Sequence, residues 1–371
     1  MLVVNAGSSS LKLTLLDGAD QVIAARELEA AHGELDEAAL RDALADGLDA
    51  ADAVGHRIVH GGERFVTATL IDAEIEAALR ELTDLAPLHQ PKSLAALDAV
   101  SAHLPKIPAV ACFDTAFHAG LPAAASTYAL PAAWRERWPI RRYGFHGLSH
   151  SWVARRAPQL LGHPANDLRL VSCHLGAGAS LCAIADGRSL DTTMGFTPLE
   201  GLVMATRSGS IDPGLLLWLM QHTEMSEHEL AFALEHESGL QGLSGSADMR
   251  IVLKRAADGD PSSVLALEVW EHRLRALIAA MAAALGGLDA LVFTGGIGER
   301  SAPIRARAVA GLGFLGLAID AERNETASGD LELTAEGART RTLVIAARED
   351  LEIARQTRAV LQAAQGRVST S

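Results

Sequence analysis

The sequence is short of the features that would take it out of the ordinary soluble class. It has three cysteines, Cys112, Cys173 and Cys182. They have neither paired nor metal-ligand spacing, and each sits in an apolar, strand-like run. That excludes a disulfide framework and a thiolate metal centre, and reads as small core residues in a reducing compartment. Positive charge is scarce: 32 Lys and Arg against 46 Asp and Glu leave a net charge of -14. A nucleic-acid surface is thereby disfavoured, since phosphate backbones are held by clustered basic residues. An anionic substrate would have to be gripped by a few local arginines against an unfavourable field. The N-terminus lacks a basic region followed by an apolar run, so no signal peptide is expected. The longest weakly polar stretch, Ala276 to Leu288, falls short of the ~20 residues that span a bilayer. The expectation is a cytoplasmic protein with no membrane or nucleic-acid partner. With 371 residues, 49% hydrophobic and 21% charged, the chain is long enough for two domains with sizeable cores.

The first fifteen residues organise the rest. Leu2-Val3-Val4 runs into Asn5-Ala6-Gly7-Ser8-Ser9-Ser10, after which Leu11, Leu13 and Leu15 alternate with Lys12 and Thr14. This is a hairpin pattern with a small-residue turn. Such a turn offers backbone N–H groups and hydroxyls to an oxyanion, or is simply polar. A second copy favours the functional reading. His174-Leu175-Gly176-Ala177-Gly178-Ala179-Ser180 lies on Asn5 to Leu11 without a gap, and Asp186-Gly187 falls on Asp17-Gly18. Two strand-loop-strand units half a chain apart predict two related domains that present small-residue loops to a shared cleft.

Further candidates punctuate the chain. An acidic helix is expected from Asp36 to Leu48, then a buried strand, Ala53 to His60. Arg57 in that strand is either a carboxylate or phosphate clamp or a structural partner of Glu63. His56 and His60 face the other way, as supporting residues. A helix from Leu94 to Leu104 precedes a strand, Val110 to Phe113. Asp114 stands at its carboxyl end, where open α/β sheets place active-site groups, and where a helix N-cap is also common. Glycines flank Phe145-His146, a loop that could present a hydrogen-bond donor to developing charge or hold a buried histidine. Arg207 sits in a Gly/Ser/Pro-rich loop before a helix from Gly214 to His222. A long helix from Ser262 to Leu285 has Asp260-Pro261 as cap and first position. Leu291 to Phe293 leads into Thr294-Gly295-Gly296-Ile297-Gly298, a turn able to approach a nucleoside before a helix near Ala302. Leu343 to Ala347 is the last strand. Glu349 then opens the terminal helix, where an acid complements the dipole or reaches a metal through water.

The chain resembles the acetate kinase family over essentially its whole length. The matching motifs are Asn5 to Lys12, His56 to Glu63, Pro87-Leu88-His89, Phe113 to His118, Arg142 to Gly147, Gly195 to Leu202, Thr206 to Gly209, Phe293 to Glu299 and Glu349 to Arg355. The resemblance implies an α/β fold of two duplicated actin/hexokinase-like (ribonuclease H-like) domains with a cleft between them. The first domain would comprise residues 1–116 and 352–371, the second 117–351. It implies reversible transfer of the ATP γ-phosphoryl group to acetate, giving acetyl phosphate and ADP, with Mg2+ or, alternatively, Mn2+. Homodimerisation through the second domain is implied as well. Carried over, Arg57 and Arg207 hold the carboxylate and the moving phosphoryl group, His146 hydrogen-bonds that group, and Asp114 positions and polarises the site. Asn5 and Glu349 are magnesium-associated. Val59, Leu88, Phe145 and Pro198 line a methyl pocket. Ser10, Lys12, His174, Gly176, Ala177 and Gly178 lie along the phosphates, and Asp248, Arg250, Gly295, Gly296, Ile297 and Gly298 border the nucleoside.

The chain departs from the family pattern at Ala177 and Ala179 (usually Asn and Ser), Ser210 (Asp), Gln90 and Arg300 (Asn), and Arg348 and Asp350 near the metal turn. Weaker nucleotide affinity is expected, with activity retained. Two alternatives stand beside this reading: a kinase for propionate or butyrate, which the bulk of Val59 disfavours, and a catalytically inactive actin-like nucleotide-binding protein.

Overall fold

The computed structural model describes residues 1–7, 10–29, 37–86, 90–164 and 168–368. The chain divides into two compact units. Met1–Ala119, Phe145–Trp152 and Arg348–Ser371 form the first, Gly120–Gly144 and Val153–Ala347 the second. Residues 117–119, 145–152 and 348–351, expected in the second domain, cluster with the first, and with them come Phe145, His146 and Glu349.

The first unit is built on six strands: β1 (Leu2–Ala6), β2 (Ser10–Leu16), β3 (Val22–Glu29), β4 (Val54–Ile58), β5 (Thr69–Leu70) and β6 (Ala109–Phe113). Their spatial order is β3-β2-β1-β4-β6-β5. β1, β4 and β6 are parallel, while β2, β3 and β5 run antiparallel to their neighbours. The apolar run Leu2-Val3-Val4 has no polar alternation because both faces of β1 are covered. Leu2 and Val4 pack with Leu40 and Leu44 of α1 (Glu37–Ala45) and with Ala96 and Val100 of the helix Gln90–His103. Val3 packs on the opposite face with Ile353 and Ala354 of the C-terminal helix, Glu349–Val368. In β2, by contrast, Leu11, Leu13 and Leu15 are buried and Lys12 is exposed, the alternation the sequence displays.

The second unit repeats this plan. Its strands are β7 (Arg169–Leu175), β8 (Ala179–Ala185), β9 (Arg188–Thr192), β10 (Ala290–Thr294), β11 (Leu331–Glu332) and β12 (Arg341–Val344). The order β11-β12-β10-β7-β8-β9, read backwards, is the first sheet strand for strand, with the same parallel and antiparallel pairings. The repeat is a duplication of topology. It is not gapless, however. Ala6 pairs Leu11 across the first turn, whereas Leu175 pairs Ala179 across the second. The closing bonds, Gly7 N to Ser10 O (2.8 Å) and Gly176 N to Gly178 O (3.0 Å), show the same one-residue shortening. The long helix Pro261–Ala284 has Asp260 as its N-cap, accepting from Ser263 N, and Pro261 in its first turn. It buries Leu267, Trp270, Leu274, Ile278 and Met281, the three-and-four spacing of one helix face.

Candidate active site

In the first unit three parallel strands end side by side, and each end carries a polar side chain. Asn5 is on β1, Arg57 on β4, and Asp114 follows β6, its N–H continuing the ladder to Ile58 O at 3.0 Å. Arg57 does not pair with Glu63. Its Nε (3.0 Å) and Nη2 (2.6 Å) both donate to Asp114 Oδ2, and Nη1 donates to Asn5 Oδ1 (3.2 Å) and Ala6 O (3.1 Å). Asn5 Nδ2 in turn donates to Glu349 Oε2 at 2.9 Å. A guanidinium held on two sides in this way has a fixed plane.

Asp114 is buried and its Oδ1 has no hydrogen-bond partner. Burial pushes its carboxyl up from the ordinary range, Arg57 pulls it back, and the nearby charge of Glu349 adds to the rise. Burial also opposes the charge on Arg57, but Asp114 and Glu349 outweigh it and hold that charge in place. Asp114 is not a helix cap, since its side chain is spent on Arg57 and the following 3-10 turn, Ala116–His118, receives no side-chain cap bond. Its carbonyl accepts Gly147 N at 2.8 Å. A Cβ on residue 147 would lie 2.1 Å from that oxygen, so only glycine allows this approach.

The Phe145-His146 loop is fixed by the same region. His118 Nε2 lies 3.0 Å from Phe145 O. A carbonyl only accepts, so Nε2 carries the proton, and burial pushes the His118 pKa down to about 4, which keeps the ring neutral. The Phe145 ring meets His60 edge to face at 5.5 Å. His146 follows with φ 55, a left-handed backbone that a non-glycine residue adopts at a cost. It is half-buried, neither a surface residue nor a core one. Val59 and Phe145 are buried, and Leu88 lies outside the described residues, as do Ser8 and Ser9.

Asp114 Oδ1, Asn5 Oδ1 and the Glu349 carboxylate, linked through Arg57 and Asn5, are all oxygens, the set a hard divalent cation takes. Among the described residues no group of three or more His, Cys, Asp or Glu could hold a metal ion. An ion here would therefore complete its shell with water and phosphate oxygens, as Mg2+ commonly does.

The second unit assembles a different surface. Ala205 N donates to Ala177 O (3.1 Å), and Gly295 sits with φ +77 against the backbone of Leu175, where a Cβ would meet Leu175 O at 2.9 Å. The β7–β8 turn, the segment before Arg207 and the glycine turn after β10 therefore pack together. That glycine turn is itself helical, Gly295–Arg300, followed by a separate helix, Ala302–Ala310. Arg207 Nε pairs with Glu235 Oε2 at 2.7 Å, both side chains being nearly buried. Pro198 is on a loop fastened by Arg142 and Tyr128, which bind the two oxygens of Glu200 at 2.7 and 2.6 Å. Ser210 holds that loop too, exchanging bonds with Gly201 through its hydroxyl and its N–H. Asp248 caps the helix Met249–Ala257 and pairs with Arg250 at 2.5 Å, which pulls its pKa down to about 2. In the first unit, Ser10 and Lys12 are likewise tied locally, both to Glu27 of β3.

Sequence reasoning missed Glu235. Nothing in its surroundings, Ala-Leu-Glu-His-Glu, announces the turn in which it lies. His118 lay at the edge of a motif already singled out.

The chain matches the model of the Acetokinase family over residues 25–355. It is 44% identical to an acetate kinase of Clavibacter michiganensis subsp. michiganensis, over 96% of this chain and 98% of that one. It is 52% identical to an acetate kinase of a Synechococcus strain, over 83% and 76%. Among solved structures, Porphyromonas gingivalis acetate kinase superposes with a TM-score of 0.87 at 35% identity, covering 97% of this chain and 99% of that one. A propionate kinase from Francisella tularensis gives 0.88 at 35%, with the same coverage.

Proposed function

The chain belongs to the acetokinase family, and we propose that it transfers the γ-phosphoryl group of ATP to acetate, reversibly, giving acetyl phosphate and ADP. The observation that carries this reading is the buried Arg57–Asp114 pair, with Asp114 Oδ1 unpartnered beside Asn5 and Glu349.

Acetate, like a Glu side chain of pKa ~4.3, is ionised at neutral pH, so no general base is needed. The barrier lies in aligning two anions and offsetting their repulsion. Arg57, four of whose five N–H groups are held by Asp114, Asn5 and Ala6, offers the acceptor carboxylate its charge and the remaining Nη2–H from a fixed plane. Arg207 offsets charge on the phosphoryl group in flight, and His146 donates a hydrogen bond to it. Asp114 holds Arg57 in plane and keeps an oxygen available to the cation. Bound at Asn5, Glu349 and Asp114, Mg2+ would supply phosphate charge neutralisation. The second unit's glycine turn and β7–β8 turn lie along the nucleotide, with Asp248 and Arg250 toward the nucleoside.

Val59 and Phe145, both buried, favour a methyl group over longer chains. Propionate is the second reading, supported by the likeness to a propionate kinase. Homodimerisation through the second unit is supported by the helix Pro213–His222, none of whose residues is buried although it reads Leu-Leu-Leu-Trp-Leu-Met. Leu217, Trp218 and Met220 are each at least half exposed. No helix among the described residues is long and apolar enough to cross a membrane.

Trapping acyl phosphate as the hydroxamate, with ATP, Mg2+ and acetate, propionate or butyrate in parallel, tests the reading. Acetate should give the highest kcat/KM. No acyl phosphate from any acid at millimolar concentration would leave only a nucleotide-binding protein.

A further inference from the structure

We infer that Glu235 is a positioning residue for Arg207, setting the direction of its guanidinium for phosphoryl transfer. The inference rests on the functional reading above.

Glu235 lies in a five-residue π-helical turn, Ala233–Glu237. Such turns are rare and collect at functional sites. This one is fastened to the residues on either side of Arg207. Thr206 Oγ1 donates to Glu235 O (2.8 Å), Ser208 N to Leu234 O (3.1 Å), and Ser238 N to Thr206 O (3.0 Å). Two residues beyond it, Gly239 has φ +61, and a Cβ there would stand 2.3 Å from Met204 O and 2.7 Å from Arg207 O. Backbone and side chain thus converge on one residue. The Glu235 carboxylate meets Arg207 at Nε, 2.7 Å away.

Nε is on the stem side of the fork. A carboxylate there sets the rotation of the planar group, whose Nη1 lies farther from its own acceptors, 3.5 Å from Pro198 O and 3.9 Å from Met204 Sδ. Taking two charges out of water is costly, so a pair with this little exposure is weak evidence for stability and better explained as geometry. A carboxylate beside the guanidinium also lowers its net pull on anions. Orientation is what this arrangement gains.

The test is steady-state kinetics of full-length Glu235→Ala, Glu235→Gln and Ser238→Ala, with thermal unfolding of each. Ser238 Oγ anchors the same turn through Ala233 O (2.8 Å) without touching Arg207. Glu235→Ala should lower kcat about 10²-fold, the scale of a misplacement near 1 Å, with KM for ATP within about threefold. Glu235→Gln, which keeps an acceptor for Nε, should restore kcat to within about fivefold of wild type. Ser238→Ala should stay within about threefold. If Glu235→Ala fails to fold, the Gln variant and Ser238→Ala still decide. Glu235→Gln and Ser238→Ala falling together, in step with lost thermal stability, would overturn the inference, as would a fully active Glu235→Ala. Wild-type enzyme that makes no acyl phosphate would instead overturn the functional reading, independently of these variants.

Discussion

The two sheets share a strand order and differ in what they place at the strand ends. Ladder register sets His56 of β4 opposite Val4 and Ala111, and Phe293 of β10 opposite Cys173 and Val344. Asn5, Arg57 and Asp114 of the first sheet therefore correspond to His174, Thr294 and Ala347 of the second. The first half spends these three positions on an amide, a cation and an acid locked together. The second spends them on an imidazole, a hydroxyl and a methyl group, followed at position 295 by a left-handed glycine. Charge needs partners and therefore bulk. Close approach to a phosphate chain needs neither, only small residues with backbone N–H groups. On the proposed reading, one duplicated scaffold divides into a half that carries the chemistry and a half that carries the nucleotide contact. Arg207 with Glu235 is an addition to the second half, outside the duplicated strands.

The contrast can be broken most sharply at the arginines. Arg207→Ala is expected to lower turnover by about 10³ to 10⁵, the scale of transition-state arginines in phosphoryl transfer, with the fold retained on circular dichroism. Turnover near the wild-type rate would remove it from the mechanism.

A smaller effect is expected from glycines. In Gly147→Ala the new methyl group meets Asp114 O at 2.1 Å and cannot be accommodated without moving the segment that follows β6. About 1–3 kcal/mol of stability should be lost, as in other overpacked sites, together with kcat. Gly295→Ala, forced into φ +77, should chiefly raise KM for ATP. Equal effects of both variants on both constants would erase the division of labour.

Acid provides a third handle. Burial holds His56, His60 and His118 of the first unit neutral, each with its pKa pushed down to about 4. The unfolded chain takes up these protons near pH 6.5, so their contribution is complete above that value and is lost as pH falls toward 4. The melting temperature should decline across this window. A flat profile between pH 7 and 5 would contradict the assignment. Smallest of all should be Thr294→Val, which replaces the residue corresponding to Arg57 and removes a buried hydroxyl that has no hydrogen-bond partner. Activity should stay within about twofold and stability should not fall.

Much of this was legible in the sequence wherever the signal is local. The alternation of β2, the apolar runs of β1 and β6, and the Asp260-Pro261 start of the long helix follow from period and capping alone. The duplication was visible through its two turns, but the shortened second turn was not, because a small-residue loop closes as well with three residues as with four. The edge strands β3 and β9 carry weak alternation and are fixed by pairing. Arg57 was recognisable as out of place in a strand. Its true partner, Asp114, is 57 residues away, and sequence proximity suggested Glu63. Glu235 depends on a π-helical turn set by tertiary bonds, which leaves no mark on composition or period.

The central claim is that a pinned Arg57 fork at the ends of the first sheet's parallel strands orients the acceptor acid. Its most direct test is kcat/KM for acetate in Arg57→Lys, which keeps the charge and loses the fork. The expected result is a fall of at least about 10²-fold with KM for ATP and the melting temperature close to wild type. A variant that phosphorylates acetate as efficiently as the wild type would contradict it.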